Sequence, residues 1–474
     1  MGDTYATKLL GTSEEPSVVK IADSYFVEES ILARNPEAIP RVKPLKRGTR
    51  LETPGHSFRI LDKIGDGGFG ITYKVLNLIG FAAQGSSGEW VPEGTVLALK
   101  ECCRREDMVR DADGLVRLRS GHLESGKEVR KHFIKEARLM AKLQRAMPQQ
   151  GRSSLKAGIM PIYYAGVCDH DSSTSEHDGI APGIFFYVMP YVDGGATLFT
   201  AQLRGHEIVS TLYYLLLSLE KMHTLGAYVR KKDDEPALHR DIKPSNIMIT
   251  KDGYPVFIDY GGMVNSRIRT PAYAAPEQTV KDEPHSWATD IYSLGATFYT
   301  LLAKNKHKSA KERMSMSTVG DPYHALATDK ELAQRLKESC ARAAARLPES
   351  AARDKMRRSA DSTIDRFLKG LDKAMNLNPQ MRWQSALEWR NYVFSDSDFD
   401  ATLFRAAPEG HAEETDFESD SIHINSSGEI TLPNYLEYME PPKYRKVLSI
   451  ILWALCILAG AIIFTICLGE IIIK

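Results

Sequence analysis

Two short stretches of the sequence, LHRDIKPSNIMI and VFIDYGG, put Asp241, Lys243 and Asn246 in one loop and Asp259 at the end of an apolar run further on. These residue types form the set that phosphoryl transfer to a hydroxyl requires. A carboxylate orients the hydroxyl and accepts its proton, an ammonium stands by the transferring phosphate, and amide and carboxylate oxygens hold Mg2+. Two other segments suit the same chemistry. IGDGGFGITY carries Gly65, Gly67 and Gly70 between strand-like runs, where the missing side chains let backbone amides approach phosphate oxygens. Taken alone, this spacing also fits a dinucleotide turn or a plain hairpin. A dinucleotide turn needs its last glycine to open a helix, whereas the ITYKVLNL that follows is strand-like. Lys100 ends VLALK, a position that marks a strand edge or one from which an ammonium reaches phosphates. Glu136 adjoins the apolar stripe of the next helix, either as a solvated charge or as the carboxylate that holds that ammonium.

Elements of two kinds must position these groups. From about Phe58 the runs RILDKIG, ITYKVLNL and TVLALKE are β-branched or apolar and broken by Gly and Pro, as the strands of an antiparallel sheet are. EVRKHFIKEARLMAKL then places Val129, Phe133, Ala137 and Met140 at helical spacing, and HEIVSTLYYLLLSLEKMH does so with Ile208, Leu212, Leu215, Leu219 and Met222. Strands first and helices later predict an α+β fold with segregated lobes. Residues 303–360, rich in Lys, Arg, Ala and Ser, read as a polar helical insertion solvated on most faces. Residues 1–50 lack sustained periodicity and end in RVKPLKRGTR, a basic linker.

In order, GGFGITY, VLALK, HRDIKPSN, DYG, AAPEQ (274–278), ATDIYSLG (288–295) and NPQMRWQSALEW (378–389) resemble the eukaryotic-like (Hanks-type) serine/threonine protein kinases, specifically bacterial membrane-anchored members that begin with GGFGITY. The resemblance covers residues 57–394 and implies a bilobal fold, an N-lobe of antiparallel sheet plus helix and a mostly helical C-lobe, with ATP in the cleft. It implies that Lys100 binds the α and β phosphates and pairs with Glu136, that Asp241 is the catalytic base, and that Lys243 steadies the γ-phosphate. Asn246 and Asp259 would hold Mg2+. Ala98 and Met248 would sandwich adenine under Thr72, Met189 fits the gatekeeper, and Pro190 to Val192 the hinge. The expected nucleotide-binding set is therefore Ile64, Gly65, Gly67, Gly70, Thr72, Ala98, Lys100, Met189, Tyr191, Val192 and Met248. Glu277 would pair with Arg382, and Asp290 would hold the catalytic loop's backbone. Lys243 in DIKPSN and Thr270 in RTPAY resemble the serine/threonine class, so protein Ser and Thr hydroxyls are the expected acceptors.

The chain departs from the family in several places. DYG puts Tyr260 where Phe is usual, adding a hydroxyl that needs a partner. The stretch from Asp259 to Glu277 is short, and Ser266 is its single hydroxyl between DYGG and Thr270, which argues against loop priming through Arg240. Ala196 stands where arginine-preferring kinases often carry an acid, which argues against a basic consensus. Insertions at 81–95, 101–130, 168–182 and 227–237 lengthen loops without removing a catalytic group. Two rival readings are a membrane-tethered pseudokinase scaffold, opposed by a complete catalytic set, and a small-molecule phosphotransferase, opposed by AAPEQ and RTPAY, the segment that seats a polypeptide.

Composition agrees with an ordinary globular chain: 474 residues, 43% hydrophobic, with 61 basic and 61 acidic side chains. A wholly disordered, collagenous or nucleic-acid-coating protein is excluded, and no nucleic-acid partner is expected. Six cysteines without a CxxC pair suit a reducing cytosol. The balance of charge hides a division, because residues 395–442 hold twelve carboxylates against Arg405 alone. Residues 447–469 carry no charge and are long enough, at about 1.5 Å per residue, to cross a hydrocarbon layer of roughly 30 Å as one transmembrane helix. Lys443, Arg445 and Lys446 flank it and predict a cytoplasmic N-terminal part. The division expected is an N-terminal extension 1–56, a kinase domain 57–394, an extended acidic juxtamembrane linker 395–446 and a membrane span 447–469. Ala461, Thr465 and Gly469 form a small-residue stripe that admits a homodimer, with autophosphorylation in trans.

Overall fold

The computed structural model describes residues 42–405, apart from 68–69, 84–88, 105–106, 111–113, 115, 120, 148–154, 156–157, 170–182, 194, 230–236, 265–269, 281, 304–307 and 317–322, together with 423–424 and 430–431. The chain opens with β1 (Arg50–Thr53), β2 (His56–Gly67) and β3 (Gly70–Asn77), and continues through a small hairpin of β4 (Phe81–Ala82) and β5 (Trp90–Val91) into β6 (Val96–Cys102). A second hairpin, β7 (Met108–Arg110) and β8 (Val116–Leu118), precedes helix α1 (Leu123–Ala146). After it come β9 (Tyr164–Asp169) and β10 (Gly183–Pro190), and the six longer strands form one antiparallel sheet in the order β1-β2-β3-β6-β10-β9. Alternation along these strands buries Phe58, Tyr164 and Phe186 on one face, their ring centroids 5.9 to 6.1 Å apart. The stripe of α1 is buried as its periodicity predicts, with Val129, Phe133, Ala137 and Met140 all turned inward.

The second lobe is helical. Helix α2 (Gly205–Val229) leads to a three-stranded sheet of β11 (Ala196–Thr197), β12 (Ile247–Ile249) and β13 (Pro255–Phe257). Two short helices, α3 (Gly261–Val264) and α4 (Pro276–Thr279), precede α5 (Trp287–Leu302), which is buried along most of its length. There follow α6 (Ala310–Ser315), α7 (Lys330–Arg346), α8 (Ser350–Ala374), α9 (Ala386–Val393) and α10 (Ala401–Phe404). Arg382 is fully buried, and its five N–H groups meet Glu277 Oε1 and Oε2 at 2.8 and 3.0 Å and the carbonyls of Ala288, Asn376 and Leu377 at 2.9, 2.7 and 3.0 Å.

Folded structure extends past both boundaries drawn at 57 and 394. On the N-terminal side β1 pairs with β2, Val42 and Leu45 are buried, and the Leu45 N–H donates to the Tyr73 hydroxyl at 3.0 Å. On the C-terminal side the first acidic residues of the expected tether are docked instead of extended. Asp398 lies 2.7 Å from Arg358, Asp400 3.5 Å from Lys355, and Asp396 accepts from Ser362 at 2.6 Å. These partners recur along one side of α8, while Phe399 packs on Tyr213, Phe394 and Phe404. The leading carboxylates are counterions of a basic helix face. A separate unit, Glu413–Lys474, contributes among the described residues only the pair β14 (His423–Ile424) and β15 (Ile430–Thr431). The expected span 447–469 lies outside the described residues, and among those described no helix is long and apolar enough to cross a membrane.

Candidate active site

Strand alternation decides which side chains of β6 reach the cleft between the lobes. Ala98, Lys100 and Cys102 line it, whereas Leu97, Leu99 and Glu101 take the opposite face. Lys100 Nζ lies 2.9 Å from Asp259 Oδ1 and 3.6 Å from Glu136 Oε1. Tyr187, directly opposite Lys100 in the β6–β10 register, donates its hydroxyl to Glu136 Oε1 at 3.1 Å and stacks on Phe133. The Tyr260 N–H donates to the same oxygen at 3.2 Å, so two hydrogen bonds and the Lys100 ion pair fix the Glu136 carboxylate. Burial pulls the Lys100 ammonium down, but Asp259 and Glu136 outweigh it and hold the group well above the ordinary lysine value. Burial raises Glu136 despite Lys100, and for Asp259 the nearby ammonium overcomes the effect of burial and keeps the carboxyl low.

The opposing wall is the loop between α2 and β12. Asp241 Oδ2 accepts from Lys243 Nζ at 2.7 Å and from Asn246 Nδ2 at 3.1 Å, while Oδ1 accepts the Thr270 hydroxyl at 2.7 Å. Lys243 also donates to Thr270 at 2.8 Å, which ties the segment before α4 to the loop. The buried Asp290 carboxylate accepts the backbone N–H groups of His239 and Arg240, both at 2.8 Å, and lies 2.9 Å from His223 Nε2. Arg240 and Asp259 both sit in the left-handed region, each at φ 62°. Such backbone costs about 1–3 kcal/mol per residue and persists only where its surroundings enforce it. At Arg240 they do so through the Asp290 hold and the Gln278 Nε2 bond to the Arg240 carbonyl at 2.9 Å.

The hydroxyl that Tyr260 adds has its partners. It donates to the Phe257 carbonyl and accepts the Met160 N–H at 2.9 Å, anchoring DYG to the chain that leads into β9. Beside it, a Cβ at Gly262 would stand 2.2 Å from the His239 carbonyl, so only glycine lets the two loops meet.

Ile64, Gly65, Gly70, Thr72, Ala98, Met189, Tyr191, Val192 and Met248 line the same cleft of about 1560 Å³ as Lys100, Glu136, Asp241, Lys243, Asn246 and Asp259. Gly67 pairs with Gly70 in the register where the hairpin closes. The reason for glycine also differs from the one expected at Gly70, where a Cβ would stand 2.0 Å from the Glu101 carbonyl of β6. Close strand packing demands that glycine, whereas a Cβ at Gly65 would make only an ordinary contact with Thr72 at 3.5 Å. Among the described residues no three His, Cys, Asp or Glu side chains group as a metal cluster. Mg2+ needs less than that from protein, because substrate phosphates and water fill most of its shell. The Asn246 amide nitrogen is committed to Asp241, which leaves its oxygen with the Asp259 carboxylate as the donor pair, and these two residues fit the ion.

Some residues that shape the site were not singled out from sequence. Tyr187 stands two positions before Met189 on one strand, so period-two alternation puts both on the cleft side. Glu101, beside Lys100, is fully buried, holds Arg110 through both oxygens at 2.8 and 2.7 Å and accepts the Tyr73 hydroxyl at 2.9 Å. Asp107 in the same insertion accepts from Ser125 at the start of α1 and pairs with Arg104 at 2.9 Å. The insertion therefore joins the strand of Lys100 to the helix of Glu136.

Residues 180–386, less than half of the chain, match the protein kinase domain family. The chain is 26% identical over 263 residues to the serine/threonine-protein kinase PknD of Protochlamydia amoebophila (strain UWE25), a match covering 48% of this chain and 23% of that protein. It is 31% identical over 133 residues to the CBL-interacting serine/threonine-protein kinase 5 of Arabidopsis thaliana, covering 25% of this chain and 27% of that protein. The chain thus spans about a quarter of the length of these relatives. A solved structure, PpkA-294 in its apo form, is 22% identical with a TM-score of 0.47, covering 74% of this chain and 99% of that one. The family match takes in β10 and the second lobe, and β1 to β9 with α1 precede it. Residues 180–386 are thus similar to the protein kinase domain family, and the sheet followed by helices supports a protein kinase fold.

Proposed function

We propose that the chain is an ATP-dependent serine/threonine protein kinase that requires Mg2+. The observation that carries this reading is one cleft in which the Lys100–Glu136–Asp259 cluster faces Asp241, itself held by Lys243, Asn246 and Thr270. Asp241 accepts the proton of an incoming hydroxyl, and the bond it takes from Thr270 is of the kind a substrate Ser or Thr would offer. Lys100 and Lys243 supply positive charge on either side of the transferring group, with little covalent chemistry left for the protein to perform. Asn246 and Asp259 would hold Mg2+, which when bound neutralises phosphate charge. Radiolabelled transfer from ATP to a protein substrate should be lost in Asp241→Asn, which keeps the shape and removes the base. Transfer at the wild-type rate by that variant would refute the assignment.

The same proposal places the chain among the membrane-anchored GGFGITY kinases, with residues 447–469 as a single span, the catalytic domain cytoplasmic, and autophosphorylation between paired copies. The uncharged run and its basic N-terminal flank support this. Full-length protein should stay with membranes through alkaline carbonate extraction, and a chain ending at residue 442 should not. Equal partitioning of the two would remove the anchor.

A further inference from the structure

The arginine-rich insertion has two different faces in the structure. Along α7, Leu332, Leu336, Cys340 and Ala344 are buried against the lobe. Arg335, Ser339, Arg342 and Arg346 recur at helical spacing on the adjoining stripe, and with Arg204 and His206 at the start of α2 they wall a cavity of about 310 Å³. Its floor is apolar, formed by Leu301 and Leu302 at the end of α5 together with Leu332 and Leu336.

The described residues that line this cavity carry charge of one kind. Four arginines line it, with no Asp, Glu or Lys among the described lining residues, although α7 also carries Lys330 and Lys337. Arg204 is engaged by Glu207, its Nε 2.6 Å from Oε1, and Arg342 stands 3.7 Å from Glu338. The side chains of Arg335 and Arg346 make no hydrogen bond or ion pair with any described residue. Ser339 Oγ accepts the His206 N–H at 3.2 Å and lies 3.0 Å from its Nδ1. His206 reports the local potential. Burial pushes it down to about 4, with Arg204, Arg346 and Arg342 acting in the same direction against the opposing pull of Glu207.

We propose that this cavity is a binding site for a phosphate group, carried by a phosphorylated peptide or a small phosphomonoester. Guanidinium forks match phosphate oxygens bidentately, which lysine cannot do, and the four arginines among the described lining residues fit that chemistry. The volume lies at the small end of ligand pockets and suits one phosphorylated group over an apolar floor. The site is separate from the catalytic cleft, shares no lining residue with it, and stands whether or not transfer occurs there.

The test uses the full-length chain in detergent micelles, with fluorescence anisotropy of a labelled phosphoserine peptide, its unphosphorylated form and a glutamate-substituted form. The phosphopeptide should bind at least about tenfold tighter than either control, consistent with one or two charge-assisted bonds. Inorganic phosphate should displace it. The double variant Arg335→Ala with Arg346→Ala should erase the preference while MgATP binding stays as in the wild type. If inorganic phosphate binds in the wild type alone and the phosphopeptide does not bind, the site stands and its source is a small phosphorylated molecule. Binding of all three peptides alike, retention of phosphate binding in the double variant, or no response to either probe would overturn the proposal.

Discussion

In the catalytic cleft Lys100 touches two carboxylates, and Asp241 takes bonds from three side chains. Around the α7 cavity, Arg335 and Arg346 reach no carboxylate among the described residues, and a neutral histidine is buried beside them. Both regions are rich in charge, but the physics differs. A buried charge must be paired, because leaving one partner alone in a low dielectric costs several kcal/mol, whereas an exposed charge can wait for a partner from solution. Pairing in the first region therefore serves to position groups for reaction, and its absence at Arg335 and Arg346 leaves capacity to bind.

The comparison is broken most severely at the fully paired extreme. Arg382→Ala would strand the buried Glu277 carboxylate, which Arg382 holds below the ordinary value against the upward push of burial. A loss of about 3–5 kcal/mol is expected, read as a lower urea midpoint at unchanged slope. Next comes Lys100→Ala, which leaves Glu136 and Asp259 facing each other across the cleft without the cation between them. Transfer should fall by at least about a hundredfold, the scale for removing one preorganised electrostatic contact. A smaller rate loss, with ATP binding intact, would show that the cluster is structural only. Tyr260→Phe is milder. It removes one of the two acceptors of the Met160 N–H, which keeps the Phe257 carbonyl at 3.2 Å, and loosens DYG, at an expected cost of about 0.5–1.5 kcal/mol in denaturant unfolding.

These outcomes also mark what the sequence discloses and what it does not. Asp241, Lys243, Asn246 and Asp259 are legible because few other reasons put those residue types in two such loops, and the structure brings them to one cleft with Lys100 and Glu136. The segregation of sheet and helices is legible from hydrophobic period. Tyr187 is not, because its role depends on which residue lies across the strand pair, and register is a tertiary property. The Glu101–Arg110 pair is hidden in the same way, since an insertion must fold back before the two meet. Residues 395–405 show the limit of charge counting. A run of carboxylates reads as a solvated tether until the basic side of α8 is placed next to it, and the two readings predict opposite structures from identical composition.

The smallest effect is the most discriminating, because its sign reverses. Removing a paired charge destabilises, but Arg346→Ala removes one of several like charges with no partner, so stability should change by less than about 0.5 kcal/mol, and upward. The same change should raise the His206 titration, since Arg346 is among the groups that hold it low. The pH dependence follows from that shift. His206 has an ordinary value of 6.5 and a folded value of about 4, so between those pH values the unfolded chain binds more protons. The stability it contributes is complete above 6.5 and is lost as pH falls through about 4, with Glu207 opposing the loss and Arg204, Arg342 and Arg346 promoting it. Histidine NMR on wild type and Arg346→Ala, each with and without inorganic phosphate, reads all of this in one titration. Phosphate should move the wild-type value upward, because an anion in the cavity offsets the arginines that depress it, and should move the variant less. A wild-type value indifferent to phosphate would mean that the unpaired arginines face only water, and the contrast between the two regions would reduce to one of burial.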